Sequence, residues 1–370
     1  MAPGVHAVRT GILFALAVLA GAAAHPADLP DNLRLPPGFR AERLVSVPGA
    51  RSMALGEQGT LFISTRQAGS VHAVTDPFGR NPQVRTILSG LKMPNGVAFR
   101  NGTLYVADQT RLLAIKGAES AASPAAPEAI ADLPFKNALH SWRYTGFGPD
   151  GLLYISIGAP CNVCDEADFG QIIRMRPDGS AREVVARGVR NSVGFDWHPR
   201  TRELWFTDNG RDMLGDDEPP CELNRLARNG EHFGFPFCHG SATRDPQFGS
   251  ARSCGEFTPP SRALGPHVAP LGMRFYDGRM FPKRYRNQLF VAEHGSWNRS
   301  KGAGRTGYRV MLIRFDKGAE PGYEPFIEGF LDGDTVRGRP VDIIVAPDGA
   351  LLVSDDAAGA IYRVTYTGRR

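Results

Sequence analysis

The sequence predicts an all-β chain folded as a six-bladed β-propeller, on three observations. One ribbon recurs six times: a polar start, an alternating strand, a Gly-containing turn, and a second strand in which Leu is followed by an apolar residue. The copies are spaced by roughly 40 to 85 residues, and no long amphipathic helical period interrupts them. A further apolar strand follows most ribbons, so each repeat reads as a four-stranded blade. A two-sheet sandwich, the competing fold, would not carry six copies of one ribbon.

The chain opens with His6 and Arg9, an apolar run over 11–20 and small residues up to Ala24, before His25-Pro26. A charged start, a short apolar centre and a small-residue cleavage site are the layout of a secretory leader, here residues 1–24. A membrane anchor fits less well, because the run is well short of the ~20 apolar residues a spanning helix needs. The mature chain is therefore read as exported, periplasmic or secreted, with no stable membrane span after processing. Residues 25–37 form a lead-in and 38–370 a single propeller domain, in which Gly38–Val45 is expected to supply the outer strand of the last blade and close the ring.

The second strands hold Leu61-Phe62, Leu104-Tyr105, Leu153-Tyr154, Leu204-Trp205, Leu289-Phe290 and Leu352-Val353. Asn101-Gly102, Pro149-Asp150-Gly151 and Pro347-Asp348-Gly349 precede three of them, the turn chemistry of hairpins. The ribbon over 188–210 is the most informative. Its apolar residues Val193, Phe195, Leu204 and Phe206 are spaced in twos, with Arg190-Asn191 at one end and Asp208-Asn209 at the other. Long loops are expected over 120–128, 160–170, 211–222, 238–270 and 296–308, where function concentrates on a rigid scaffold.

The charge balance, 43 basic against 38 acidic side chains for a formal +5, is dispersed and forms no basic block, so nothing suggests a nucleic-acid partner. Five cysteines lie in the middle third of the chain. Cys161-Asn-Val-Cys164 has neither a following His nor a second C-x-x-C, so a local disulfide is favoured over haem or metal. Cys238 and Cys254 bracket a Gly/Pro-rich loop as a second bridge, which leaves Cys221 odd.

In a propeller the first strand of each blade lines the channel, so residues just before it gather around the axis. Those positions hold Arg51, Asn95, His140, Arg190, Asn191, Arg337 and Arg339. Loops after the second strands add Arg66, Gln109, Asp208, Asn209, Gly210, His294, Trp297, Asn298, Arg299, Asp355 and Asp356. A single such Arg is more often a solvated turn residue, and a lone His is more often structural. Arginines at the starts of three blades instead indicate a site for a polyanion, since the guanidinium fork pairs with carboxylate or phosphate. The acidic run Asp212 to Glu218 is by default a solvated loop, with Ca²⁺ ligation as the alternative. Gly302-Ala-Gly304-Arg-Thr-Gly307 matches a dinucleotide fingerprint in letters only, without strand-to-helix context.

From about residue 40 to the C terminus the chain resembles the pyrroloquinoline quinone-dependent soluble glucose, aldose and sorbosone dehydrogenases. The resemblance rests on His140 with Gly148-Pro-Asp-Gly-Leu-Leu-Tyr-Ile-Ser-Ile-Gly158, Arg190-Asn191-Ser-Val-Gly-Phe195, Glu222-Leu-Asn224 and Arg337-Gly-Arg-Pro-Val-Asp342. His294-Gly-Ser-Trp-Asn298 looks like the sorbosone branch.

That resemblance implies a quinone lying across the channel mouth, its carboxylates held by arginines, with Ca²⁺ bridging it to the protein. His140 matches the general base that takes a proton from the sugar C1 hydroxyl as hydride passes to the quinone. Arg190 matches the cation beside the reduced oxygen, with Asn191 next to it. Arg339, aided by Arg337, matches a carboxylate ligand, and Asn209 a cofactor-contacting amide. The carbonyls of Gly210 and Arg211 match Ca²⁺ ligands, and Arg51, Asn95, His294, Trp297 and Asn298 complete the cofactor set. The relatives' fifth-blade lysine is absent, so His294, Asn298 or Arg299 must substitute. No cytochrome module follows Arg370, so the expected partners are a small sugar substrate and an external electron acceptor, a cytochrome or a quinone. A Ca²⁺-dependent lactonase and a non-catalytic binding propeller are the competing functions; the arginine-rich, carboxylate-poor blade starts count against the lactonase.

Overall fold

The computed structural model describes residues 1, 33–119, 125–315 and 320–368. The leader predicted over 1–24, apart from Met1, and most of the lead-in lie outside the described residues. Six sheets are arranged in a ring as a six-bladed β-propeller. The six first strands, which face the channel, are Ala50–Leu55, Gly96–Arg100, Thr145–Phe147, Phe195–Trp197, Pro270–Phe275 and Pro340–Val345. We number the blades I to VI in that order.

Phe39–Ser46 pairs antiparallel with Ala360–Tyr366, so the N-terminal strand completes blade VI and locks the ring as the sequence predicts. Phe39 anchors that closure: its ring meets Phe281, Tyr285 and Phe326 edge-on at 4.7, 5.2 and 5.0 Å. The four-strand plan is exceeded in blade III, where Glu231–His232 adds a short parallel strand beside Glu183–Arg187. Two small hairpins, Cys238–His239 with Thr243–Arg244 and Leu331–Asp332 with Thr335–Val336, also go beyond it. Both disulfides, Cys161–Cys164 and Cys238–Cys254, are formed, and Cys221 is free and buried.

The hydrophobic core is not central. Six buried clusters each fill the gap between two neighbouring blades, because every strand buries one face against each neighbour. Second-strand hydroxyls fasten the blades to one another near the axis. Ser64 donates to the carbonyl of Asn95 at 2.6 Å, Thr207 to Leu271 at 2.8 Å and Ser354 to Arg51 at 2.7 Å, each reaching the next blade round the ring. A seventh, small cluster of Val193, Leu271 and Val341 with Trp142 lies on the axis itself. Among the described residues no helix is long and apolar enough to cross a membrane.

Candidate active site

Above that apolar cluster opens a cavity of about 660 Å³. Eleven of the sequence-selected residues line it: Arg51, Arg66, His140, Arg190, Asn191, Asn209, Gly210, His294, Trp297, Asn298 and Arg339. Val193, Leu271 and Trp142 form its apolar floor.

The blade III and IV side carries His140 and Arg190. His140 sits just before the first strand of blade III with φ +49, a left-handed conformation that costs a non-glycine residue about 1–2 kcal/mol. Its Nδ1 donates to the carbonyl of Ala159 at 2.9 Å, which leaves Nε2 as the acceptor. Burial, then the nearby Arg190 charge, pushes its pKa down to about 3, so the imidazole is neutral at physiological pH. Gly158 is required beneath it. A Cβ there would stand 2.5 Å from the His140 carbonyl oxygen and 3.1 Å from Asn191 Oδ1.

Asp208 ends the second strand of blade IV and splits its carboxylate between the backbone N–H groups of Arg190, at 2.8 Å, and Asn191, at 2.6 Å. This clamps the two ends of the ribbon together. Burial raises the pKa of Asp208, and that of its strand partner Glu222, each carboxyl disfavouring charge on the other.

All five N–H groups of the Arg190 side chain are engaged by this chain. Nε donates to the Asn162 carbonyl at 2.9 Å. Nη1 donates to the carbonyls of Asn209 at 3.2 Å and Gly210 at 2.8 Å. Nη2 donates to Asn162 Oδ1 at 2.8 Å and Asp212 Oδ2 at 3.0 Å. Asn298 donates to the other Asp212 oxygen, and Asn209 Nδ2 is held by the carbonyls of Asn191 and Pro270 at 2.9 and 3.1 Å.

The blade I, V and VI side is cationic. Asp356 bridges Arg51 Nη1 at 3.0 Å and His294 Nε2 at 2.8 Å. Burial lowers the His294 pKa to about 4, so a neutral ring donates its Nε2–H to Asp356. Arg339 spends Nε on the carbonyl of His294 and Nη2 on that of Gly295, at 2.9 and 2.8 Å. Arg66 stacks on Trp142 at 4.6 Å, with Arg51 5.1 Å from the same ring, and its buried Nε has no hydrogen-bond partner. Asn191 Oδ1, also buried on the cavity wall, has none either. Four guanidinium groups around the cavity thus face only two carboxylates, those of Asp212 and Asp356.

Three of the expected residues lie elsewhere. Arg337 is half exposed, pairs with Asp332 and bonds through its backbone to Phe330, so the small hairpin between them turns it away from the cavity. Asn95 is buried behind Arg51, accepting its Nε–H at 2.9 Å, and supports that guanidinium without lining the cavity. Arg211, whose carbonyl was the expected ligand, is not among the cavity-lining residues, and its side chain pairs with Asp245. The carbonyl of Gly210, one of the expected Ca²⁺ ligands, accepts from Arg190 Nη1 at 2.8 Å. Among the described residues no three His, Cys, Asp or Glu side chains are grouped to hold a metal ion. Of the candidates for the missing lysine, Arg299 is taken up by Asp217 and by the carbonyls of Ala303, Gly304 and Asp216, whereas His294 and Asn298 reach the cavity.

Sequence reasoning missed Asp212 and Trp142 as parts of the wall and Asn162 as the residue that holds the Arg190 side chain. Asp212 is no solvated loop carboxylate: it is the counter-ion of Arg190. Asn162 gave one signal, its place inside the Cys161–Cys164 bridge.

The chain is 35% identical over 357 residues to a Borreliella burgdorferi protein described as uncharacterized, covering 92% of each. Its fold is similar to that of a Trichoderma reesei carbohydrate-active enzyme of family AA12, with TM-score 0.78 and 18% identity over 90% of this chain and 98% of that one. It is also similar to the PQQ domain of a Coprinopsis cinerea pyranose dehydrogenase, with TM-score 0.75 and 18% identity over 91% and 98%. A PQQ-bound aldose sugar dehydrogenase from Streptomyces coelicolor follows, with TM-score 0.63 and 17% identity over 90% and 99%. The TrAA12-like family profile matches residues 33–367, nearly the whole described propeller, and the chain belongs to that family.

Proposed function

We propose that the cavity binds pyrroloquinoline quinone and that the protein oxidises a sugar, an aldose or a sorbosone-like aldehyde, passing electrons to an external cytochrome or quinone. The observation that carries this reading is Arg66. It is a guanidinium stacked on Trp142 with an unpartnered Nε, facing the cavity that neutral His140 also lines. A flat ligand with several carboxylates suits Arg66, Arg51 and Arg339, and the orphaned Asn191 Oδ1 suits a ligand donor. At an effective dielectric of ~20, one such charge pair at about 4 Å is attractive by about 4 kcal/mol, an advantage that a neutral ligand lacks.

When bound, the quinone supplies the two-electron acceptor. The chain supplies the rest. His140 Nε2 accepts the proton of the substrate hydroxyl, and ligand carboxylates in the cavity raise its pKa toward the working range. Val193, Leu271 and Trp142 close the cavity floor to water from the channel. Trp297, 66% exposed on the rim, offers the sugar a flat apolar face. Family membership and the printed names of the Coprinopsis and Streptomyces proteins support the same reading. The His294-Gly-Ser-Trp-Asn298 stretch favours the sorbosone branch, and the leader-like start favours export.

Titrating the purified protein with pyrroloquinoline quinone while following tryptophan emission tests the binding step, because Trp142 and Trp297 both line the cavity. Saturable quenching at one quinone per chain is expected. An intact fold with no quenching at micromolar quinone would remove the proposal.

A further inference from the structure

Arg190 sits in an oxygen cage. Its five donors meet the carbonyl oxygens of Asn162, Asn209 and Gly210, the amide oxygen of Asn162 and a carboxylate oxygen of Asp212. A guanidinium has five N–H groups in a fixed planar fork, so no donor remains for a ligand. One carboxylate, one side-chain amide and three backbone carbonyls are also the hard oxygen donors that Ca²⁺ selects. Asp208 holds the backbone of Arg190 beneath the cage, and the Cys161–Cys164 bridge closes the loop that presents both Asn162 oxygens.

We propose that Arg190 is a built-in cation that fills the oxygen site a calcium ion would otherwise occupy at the cavity wall, so that the protein binds its cofactor without calcium. Two expectations taken from the family resemblance are revised together. The Gly210 carbonyl serves a guanidinium instead of a metal ion. Arg190 acts on the cavity through its fixed charge, because all of its hydrogen bonds are internal. The charge is retained at the cavity wall, but it is covalently attached, and no free-ion concentration governs it. It also cannot exchange. A Ca²⁺ that took these five oxygens together would have to displace the guanidinium and bring two positive charges to a wall that already carries Arg51, Arg66 and Arg339.

The first test needs no quinone, and so stands apart from the proposed function. Wild-type protein is stripped with EDTA, then titrated with CaCl2 by calorimetry, and its Tm is compared in EDTA and in calcium. No saturable heat and an unchanged Tm are expected; stoichiometric calcium binding with a Tm that falls on chelation overturns the proposal.

Arg190→Ala exposes the five oxygens. It is expected to gain a calcium site and a calcium-dependent Tm rise of about 4 °C at saturation. If that variant does not fold, Arg190→Gln serves, since it removes the charge and keeps part of the fork's length. A folded charge-removed variant that gains no calcium response contradicts the cage assignment.

The second test rests on the quinone reading: quinone affinity measured with EDTA and with calcium should agree within about twofold. A tenfold or greater dependence on calcium overturns calcium independence. Failure to bind quinone under either condition removes the proposed function and leaves the first test to decide the cation.

Discussion

His140 donates Nδ1–H to the carbonyl of Ala159 at 2.9 Å, and this one bond fixes both the tautomer and the aim of the ring. Ala159 stands just after the second strand of blade III, and Gly158 before it leaves the room for the approach. A strained backbone position, a carbonyl and an absent side chain thereby set which ring nitrogen is left as the acceptor.

If Nε2 is the base, His140→Ala should lower kcat by about 10³-fold or more while the quinone dissociation constant stays within about tenfold. Steady-state dye reduction and the fluorescence titration separate the two. Retained turnover would remove His140 from the chemistry.

The low pKa of His140 gives a signed pH effect. Its folded value, about 3, lies below the unfolded ~6.5, so the unfolded chain takes up a proton that the folded one refuses. The stabilising contribution of the neutral ring is complete above pH ~6.5 and is lost as pH falls toward 3. Wild type should therefore lose stability relative to His140→Gln across that window, at up to about 1.4 kcal/mol per pH unit. Denaturant unfolding of both proteins at several pH values checks it; parallel curves would contradict it.

Arg66 and Arg339 separate cofactor affinity from catalysis. Arg66→Ala removes a fork with no carboxylate partner and should weaken quinone binding about tenfold or more while lowering Tm only by the lost stacking on Trp142, because no internal ion pair is lost. Arg339→Ala also frees the carbonyls of His294 and Gly295, so both affinity and Tm should fall. Equal affinity in wild type and Arg66→Ala would place the ligand's carboxylates elsewhere.

Asn162→Ala deletes one acceptor shared by Arg190 Nη2 and the Asp212 backbone. The Asn162 Nδ2 bond to the Asp212 carbonyl goes as well, and the loss of these three part-buried bonds should cost about 1–3 kcal/mol and loosen the Arg190 charge, lowering kcat/KM about tenfold. Chemical denaturation and steady-state kinetics measure the two effects; unchanged kinetics would mean that the carbonyl bonds alone suffice.

The propeller was legible because its blades repeat the same local instructions. Leu61, Leu153, Leu204 and Leu289 open second strands whose two faces both pack between blades, and that role shows as a short, largely apolar run wherever it occurs. The site was legible where topology alone sets position. Arg51 lies at the start of an inner strand and His140, Arg190 and Arg339 precede theirs, and a ring must bring such positions to one mouth. Position did not decide orientation. Arg337 lies two residues from Arg339 yet is turned outward by a hairpin too short to carry a strand signal. Asn162 and Asp212 come from different long loops and meet each other and Arg190 side by side, a tertiary register that no local pattern encodes. The bond from Arg190 to the Gly210 carbonyl was hidden in the same way, since Gly210 reads identically whether its carbonyl serves a metal ion or a guanidinium.

The most direct test of the central claim follows the absorbance of the quinone-loaded protein on adding members of an aldose and sorbosone panel, in wild type and in His140→Ala. The account predicts that at least one sugar bleaches the oxidised quinone band in wild type, and that the same sugar leaves it unchanged in the variant. A loaded wild-type protein whose band no sugar alters, or a His140→Ala variant that bleaches at the wild-type rate, would contradict it.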